Sequence, residues 1–159
     1  MNPFELFDTT IELNPDLKDL RKKYIKLQQG SHIDNGGVEQ DSEVINRAYE
    51  ILKIREKRIF YIIDNIFKIN LRDYPLPSDF LMDMMELNDL ISDTNSKDEA
   101  KKRLTEFEIN LNLEFQEIDQ SVKQIGIEKE NNKLFIIDWF QRYKYFDRLR
   151  KNFQGIEEL

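Results

Sequence analysis

The chain has 159 residues and no cysteine, which excludes disulfides, thiolate catalysis and iron–sulfur or zinc sites built on cysteine. Its net charge of -7 argues against a general nucleic-acid-binding protein, and its single histidine leaves almost nothing for a histidine-based metal site. No apolar run is long enough to predict a membrane span, so a soluble protein is predicted. No metal or cofactor is expected.

The beginning of the chain predicts a very short helix followed by the first arm of a helical hairpin. Asn2-Pro3 and Asn14-Pro15-Asp16 are both helix-start signals, because Asn caps a helix and Pro fits its first turn. The apolar residues that predict the buried face of the second helix are Leu17, Leu20, Tyr24 and Leu27. Gly30 and Ser31 are predicted to end that helix, and residues 32–37 to form an exposed loop.

A third helix follows the loop and completes the antiparallel hairpin. Asp41 or Ser42 is expected to cap this helix. Its predicted buried stripe consists of Val44, Ile45, Ala48, Tyr49 and Leu52. Helical character continues through Arg58 to Phe67, so residues 1–69 are predicted to form one helical unit.

Two prolines mark the boundary with the second half of the chain. Pro75 and Pro77 cannot both lie inside a helix, so residues 70–78 are predicted to be a linker, and Ser78 is expected to cap the next helix. The predicted helices cover residues 79–91, 97–125 and about 132–159, with a turn at 93–96 and a break at Gly126. This pattern predicts an all-α fold in which residues 79–159 form a three-helix bundle.

The helix after the linker has two apolar stripes. At about 100° per residue, a narrow arc that suffices as a core stripe contains Phe80, Met84, Leu87 and Ile91. The opposite half mixes apolar side chains with carboxylates and contains Leu81, Met82, Met85, Glu86, Asp89 and Asp93. Such a mixed stripe is typical of an adaptable protein-binding surface. The alternative is that both stripes are buried because the helix lies at the centre of the bundle.

Two further features indicate a partner protein rather than a reaction. Residues 16–28 hold five bases and two acids, a local charge of +3 that suits an acidic partner. His32 and Asp34 could form a general-base pair, but no nucleophile or phosphate-binding loop accompanies them. A contact role is therefore favoured, and no enzymatic activity is predicted.

Aromatic residues cluster around Trp139 in the last predicted helix, beside several bases. Aromatics with bases can bind single-stranded nucleic acid. The aromatic residues are nevertheless predicted to be core.

The order of motifs resembles that of the HscB/Jac-type J-proteins, the co-chaperones of iron–sulfur cluster assembly. The N-terminal matches are Pro3-Phe-Glu-Leu-Phe7, Leu20 with Tyr24 and Leu27-Gln28, His32-x-Asp34, Ile45-Asn46-x-Ala48-Tyr49-x-x-Leu52 and Arg58-x-x-Tyr61-Ile-Ile63. The C-terminal matches are Phe80-Leu-Met-Asp-Met-Met-Glu-Leu87 and Lys144-Tyr-Phe-Asp-Arg-Leu149. Together these motifs cover nearly the whole chain in order.

The resemblance implies that residues 1–69 are a J-type domain that stimulates a DnaK/HscA-type ATPase chaperone, and that the bundle binds an IscU-type scaffold protein. By position, the expected chaperone-binding residues are His32, Asp34, Arg21, Lys22, Lys23 and Lys26. The expected scaffold-binding residues are Leu81, Met82, Met85, Glu86, Asp89, Asp93 and Phe146. The protein is expected in the cytoplasm, or else in the mitochondrial matrix or a related organelle, with no nucleic-acid or membrane partner.

The signature loop departs from the family, which has proline between the histidine and the aspartate where this chain has Ile33. Proline restricts its own φ and the conformation of the residue before it, so Ile33 constrains His32 and Asp34 less. An alternative function is therefore a J-like tethering module that binds a partner without activating an ATPase.

Overall fold

The computed structural model describes the backbone of residues 2–34 and 39–157 and the side chains of residues 2–30 and 42–155. This described part of the chain contains helices and turns but no strand, so the all-α prediction is confirmed. The chain divides into two compact units, Met1–Ile69 (unit 1) and Asn70–Leu159 (unit 2). The segment predicted as a linker, residues 70–78, belongs to unit 2.

Unit 1 begins with two capped helices. Its helices are α1 (Pro3–Leu6), α2 (Leu17–Asp34), α3 (Glu39–Lys53) and α4 (Arg55–Tyr61), followed by a π-helical turn (Ile62–Ile66). The Asn2 side chain accepts a hydrogen bond from the Phe4 N–H (2.9 Å), and the Asp16 carboxylate accepts one from the Lys18 N–H (2.9 Å). These acceptors satisfy N–H groups that the start of a helix leaves unpaired. The first start signal acts as predicted, whereas at the second Asp16 is the capping residue and Asn14 and Pro15 precede the helix.

Helix α2 extends further than the sequence pattern predicts, because it runs through Gly30 to Asp34. One Gly inside a helix costs only about 1 kcal/mol. The Gln28 side chain accepts a hydrogen bond from the Ser42 hydroxyl (2.9 Å), which ties this end of α2 to α3 and favours its continuation. The first part of the loop predicted at residues 32–37 is thus helical, and the rest of it lies outside the described residues.

Stacked aromatic rings and side-chain hydrogen bonds hold α2 and α3 together. Tyr24 and Tyr49 stack with ring centroids 4.2 Å apart, and the Tyr24 hydroxyl donates to Asn46 (2.6 Å). The buried residues beneath them include Leu20, Ile45, Ala48 and Leu52. Leu17 and Val44 are exposed instead of buried, because they lie at the edges of their apolar stripes. Helix α3 also starts at Glu39, ahead of both predicted caps.

Among the described side chains of unit 1, one charged group is buried. The Arg58 guanidinium, 3% exposed, donates through Nε to the Leu13 carbonyl (2.8 Å) and through Nη1 to the Leu52 carbonyl (2.7 Å). Because Arg58 belongs to α4, these bonds join α4 to the end of α3 and to the segment that precedes α2. Burial of a charged group is tolerated only when hydrogen bonds replace its hydration.

Unit 2 contains three long helices joined by short turns. They are α5 (Ser78–Ser92), α6 (Lys97–Ile125) and α7 (Glu130–Glu157), with 3-10 turns at Leu71–Asp73 and Thr94–Ser96. Ser78 is the first residue of α5 and not its cap; Pro77 takes the cap position, and its restricted φ leads into the first turn. Gly126 ends α6 with a left-handed φ of 102°, which glycine adopts easily. Buried Asn132 closes this turn by donating to the Gly126 carbonyl (2.7 Å).

Helix α7 supplies most of the aromatic core of unit 2. Its buried aromatic side chains are Trp139, Phe140, Phe146 and Phe153, so the prediction that the Trp139 region is core is confirmed. The Trp139 indole donates to the Leu111 carbonyl of α6 (2.8 Å). The segment before α5 packs on the same helix, since the Gln141 amide donates to the carbonyls of Leu71 and Tyr74.

Candidate functional site

Helix α5 has one buried face and one exposed face. The buried side chains, on the side that contacts α6 and α7, are Phe80, Met84, Leu87 and Ile91. On the opposite side, Met82 is 61% exposed and Met85 is 65% exposed, while Leu81 is half-buried. The alternative that both stripes are core is therefore wrong, because the bundle leaves the second stripe open to solvent.

The two exposed methionines form the apolar centre of this face. Met82 and Met85 lie three residues apart, so they are neighbours on the helix surface. Methionine is unbranched and polarisable, which lets its side chain adapt to the shape of an apolar partner. Removing such apolar area from water contributes about 25 cal/mol per Å². We name this surface the α5 face and define it by Leu81, Met82, Met85, Glu86 and Asp89.

Helix α5 is strongly acidic, and two of its carboxylates, Glu86 and Asp89, lie beside the methionines on the α5 face. The acids of α5 are Asp79, Asp83, Glu86 and Asp89, and the helix contains no base, so its formal charge is -4 (four acids, no base). All four side chains are exposed, and none takes part in an ion pair with the described part of the chain. Unpaired carboxylates of one sign create a potential that suits a basic partner surface.

Asp93 lies just beyond α5, and its carboxylate already has local partners. Oδ2 accepts a hydrogen bond from the Ser96 hydroxyl (2.7 Å), and Oδ1 accepts one from the Asn95 backbone N–H (3.0 Å). These bonds, that of Ser96 foremost, lower the pKa of Asp93 below its ordinary value. Asp93 therefore caps the turn between α5 and α6 and stays charged at neutral pH.

Phe146 is a core residue, which corrects its assignment to the exposed scaffold-binding face. Its side chain is 1% exposed and stacks on Phe107 of α6, with ring centroids 5.9 Å apart. Phe80 of α5 packs edge-on against the same Phe107 ring (6.3 Å). Phe146 also lies seven residues, or about two helical turns, after buried Trp139, so both side chains are on the inner side of α7. It therefore supports the packing beneath α5 and does not reach the surface.

The exposed side of α2 carries the basic surface of unit 1. Arg21, Lys22 and Lys26 are exposed, and within the described residues none of them has an acidic partner. Lys23 differs, because its ammonium lies 3.3 Å from the Asp19 carboxylate and donates to a backbone carbonyl of unit 1 (3.2 Å). Three of the four predicted basic residues are thus free to meet a partner, and Lys23 is held by its own unit.

Sequence reasoning missed an apolar side chain within this basic surface. Ile25 is 46% exposed. At about 100° per residue its direction falls between those of Arg21 and Lys22, so a helical-wheel count could have found it. We name this surface the α2 face, and its members are Leu17, Lys18, Arg21, Lys22, Ile25 and Lys26.

The His32–Asp34 motif occupies the end of α2. The backbone of His32, Ile33 and Asp34 forms the last turn of the helix, while their side chains lie outside the described residues. Isoleucine permits a helical backbone at this position, whereas proline would remove a helix hydrogen bond and clash with the preceding turn. The substitution at Ile33 is therefore consistent with a motif that continues the helix.

Both surfaces combine exposed apolar side chains with charges, acidic on the α5 face and basic on the α2 face, an arrangement that suits protein partners. Across the described ranges, no group of three or more His, Asp or Glu side chains is placed to hold a metal ion. None of the described helices combines the length and the apolar character that crossing a membrane requires.

Known proteins match this chain along nearly its whole length, although no protein-family model matches it. An HscB co-chaperone homologue from Colwellia psychrerythraea is 25% identical over an alignment of 176 positions, gaps included, which covers 99% of this chain and 97% of the relative. A second, from Haemophilus ducreyi, is 26% identical over an alignment of 169 positions, with 99% and 96% covered. A third, from Acinetobacter baylyi, is 30% identical over 109 residues, or 62% of this chain and 61% of the relative.

Solved HscB structures share the fold. HscB from Vibrio cholerae has a TM-score of 0.69 and 21% identity, with 99% of this chain and 98% of that chain covered. Human HscB has a TM-score of 0.75 and 17% identity, with 99% and 82% covered. The sequence resemblance is thus confirmed: over nearly its whole length the chain is similar to HscB co-chaperone homologues, and it shares the fold of solved HscB structures.

Proposed function

We propose that this protein is a co-chaperone of iron–sulfur cluster assembly that binds an IscU-type scaffold protein through the α5 face and presents it to a DnaK/HscA-type chaperone through the α2 face. Homology to HscB co-chaperones supports the co-chaperone role. The observation that carries the binding proposal is the exposure of Met82 and Met85 on a helix whose other face is buried. A small apolar centre inside a charged rim is the usual composition of a protein-binding hot spot.

The bundle presents the α5 face in a rigid form. Met84 is fully buried and Leu87 is 2% exposed, so α5 is held on the bundle by its inner side before any partner arrives. Because the helix is already ordered, binding does not have to offset the entropy of folding it. The free energy gained by burying the two methionines is therefore available for affinity.

Replacing both Met82 and Met85 by Ala is expected to weaken scaffold binding by about a hundredfold, since truncating a residue at the centre of an interface typically costs about 1–2 kcal/mol. The fold should survive, because both side chains are exposed. Titration calorimetry against a purified IscU-type scaffold measures the dissociation constant, and circular dichroism confirms that helix content is retained.

A matched control removes similar apolar area from another helix. Ile109 and Leu113 of α6 are 54% and 52% exposed, and replacing both by Ala should leave the affinity for the scaffold unchanged. If the methionine variant bound as tightly as the wild type, the assignment of the α5 face would be wrong. If the wild type itself did not bind the scaffold, the proposed partner would be wrong.

A tethering module that does not activate an ATPase is the second candidate function. The observation that favours it is the helical backbone of the His32–Asp34 motif, which follows α2 without a break. A motif placed in the last turn of a helix presents its two side chains differently from one placed in a loop, because a helix sets the directions of consecutive residues about 100° apart. Chaperone activation and scaffold binding are therefore separate questions for this chain.

Replacing Ile33 by Pro is expected to end α2 about one turn earlier, because proline cannot donate a helix hydrogen bond. If the chain acts as an activating co-chaperone with a weakened motif, this variant should stimulate the ATPase of the partner chaperone severalfold more than the wild type does. His32→Gln in the same steady-state assay is the matched loss-of-contact control. A basal ATPase rate with the wild type and both variants, together with scaffold binding by the wild type, would instead support the tethering function.

A further inference from the structure

We infer that copies of this chain associate weakly head to tail, with the α2 face of one copy docked on an apolar, acid-lined surface of unit 2 in the next. This inference concerns self-association and goes beyond the proposed function. It requires neither the scaffold nor the chaperone, so it can fail or succeed independently of them.

The docking surface lies on the first half of α7, where two exposed apolar residues separate two open grooves. Leu134 is 41% exposed and Phe135 is 54% exposed. The groove between α6 and α7 has a volume of about 220 Å³ and is lined by Phe135 and Ile118 among others. The groove between α7 and the segment before α5 has a volume of about 300 Å³ and is lined by Leu134 and Pro75 among others. We name this surface the α7 ridge.

Acids outnumber bases around the α7 ridge. The charged side chains that line the two grooves are Asp73, Glu114, Glu117, Asp138 and Arg142, which sum to -3 (four acids, one base). The Arg142 guanidinium lies 2.5 Å from the Glu114 carboxylate and 2.9 Å from that of Asp138, so these three charges are already paired. Within the described residues, Asp73 and Glu117 have no ion-pair partner and supply the excess negative charge. Asp138 lines both grooves and therefore occupies the centre of the surface. A partner for this ridge should combine an apolar side chain with positive charge.

The α2 face has that chemistry. Leu17, Arg21 and Ile25 lie four residues apart, so they follow one ridge along the helix, with a cation between two exposed apolar side chains. Lys18, Lys22 and Lys26 add three more exposed cations beside this ridge. The α2 face occupies the first ten residues of the helix and is therefore about 15 Å long.

A second copy of the chain is the occupant that these surfaces specify, since every molecule carries both the basic face and the acidic ridge. A contact made by one helix belongs to the small, transient class of interface, below about 1,200 Å² in total. The two surfaces differ from each other, so each contact leaves one α2 face and one α7 ridge free for a further copy. Association should therefore be weak, salt-sensitive and open-ended. On the proposed function, it would also withhold the α2 face from the chaperone.

Sedimentation velocity of the full chain at low ionic strength tests the inference. The weight-average sedimentation coefficient of the wild type should rise with protein concentration without levelling off at a dimer, and added salt should suppress the rise. Phe135→Ser and Ile25→Ser should each weaken association about tenfold or more, because each removes an apolar side chain from the centre of one surface. Both side chains are half-exposed or nearly so, and circular dichroism should show unchanged helix content.

Mixing the two variants gives the most specific result. Phe135→Ser keeps the α2 face and Ile25→Ser keeps the α7 ridge, so an equimolar mixture should associate again but stop at two chains. Ile109→Ser, on an exposed position of α6 away from both surfaces, should associate like the wild type. A wild type that stays monomeric at every concentration overturns the inference. So does association that both variants leave intact, or a mixture that remains monomeric.

Discussion

Replacing Phe146 by Ala is expected to lower the free energy of unfolding of unit 2 by about 3–5 kcal/mol. The ring is 1% exposed and stacks on Phe107, so its removal leaves a cavity between α5, α6 and α7. The neighbouring side chains cannot fill this cavity without repacking. Trp139 is the only tryptophan of the chain and is buried in unit 2, so its fluorescence reports on the unfolding of this unit. Urea denaturation followed by that fluorescence measures the change.

Phe135→Ala is the matched control for this prediction, because it deletes the same ring from a side chain that is 54% exposed. It should cost less than about 1 kcal/mol. If Phe146→Ala and Phe135→Ala destabilised unit 2 equally, the core assignment of Phe146 would be wrong.

Replacing Arg58 by Leu is expected to destabilise unit 1 by about 3 kcal/mol or more. Leucine retains apolar bulk but cannot donate, so the carbonyls of Leu13 and Leu52 would lose the donor that Arg58 provides at 2.8 and 2.7 Å. Unit 1 contains no tryptophan. Its earlier unfolding should therefore appear as a loss of far-ultraviolet circular dichroism at urea concentrations that leave the Trp139 fluorescence unchanged.

Arg47→Leu serves as the control, because it removes an exposed arginine that forms an ion pair with Glu43 on the same helix (3.4 Å). Such surface pairs contribute about 0.5 kcal/mol or less. The urea transitions of this variant should match those of the wild type. If the urea transitions of Arg58→Leu also matched those of the wild type, the buried guanidinium would contribute little to the stability of unit 1.

The sequence predicted the features that depend on local spacing. Both faces of α5 follow from counting residues at about 100° each, and the exposure of Met82 and Met85 agrees with that count. The caps at Asn2 and Asp16 act over two residues, and the helix break at Gly126 depends on a single left-handed position. These signals need no knowledge of how distant parts of the chain meet.

The sequence could not predict the features that depend on distant contacts. Phe146 was assigned by its position in a family motif, but its burial depends on stacking against Phe107 from another helix. Gly30 indicated a helix end, whereas the contact between Gln28 and Ser42 ties that end of α2 to α3. No local pattern distinguishes Arg58, whose guanidinium is buried, from an exposed arginine such as Arg47.

The absence of any base among the fifteen residues of α5 has a kinetic consequence for the proposed function. An uncompensated row of carboxylates draws a cationic surface in from a distance, so it governs how often a scaffold molecule collides in a productive orientation, and salt weakens that attraction. Met82 and Met85 act only after contact, so they govern how long the pair stays together. Capture and retention can therefore be tuned by different substitutions on the same helix.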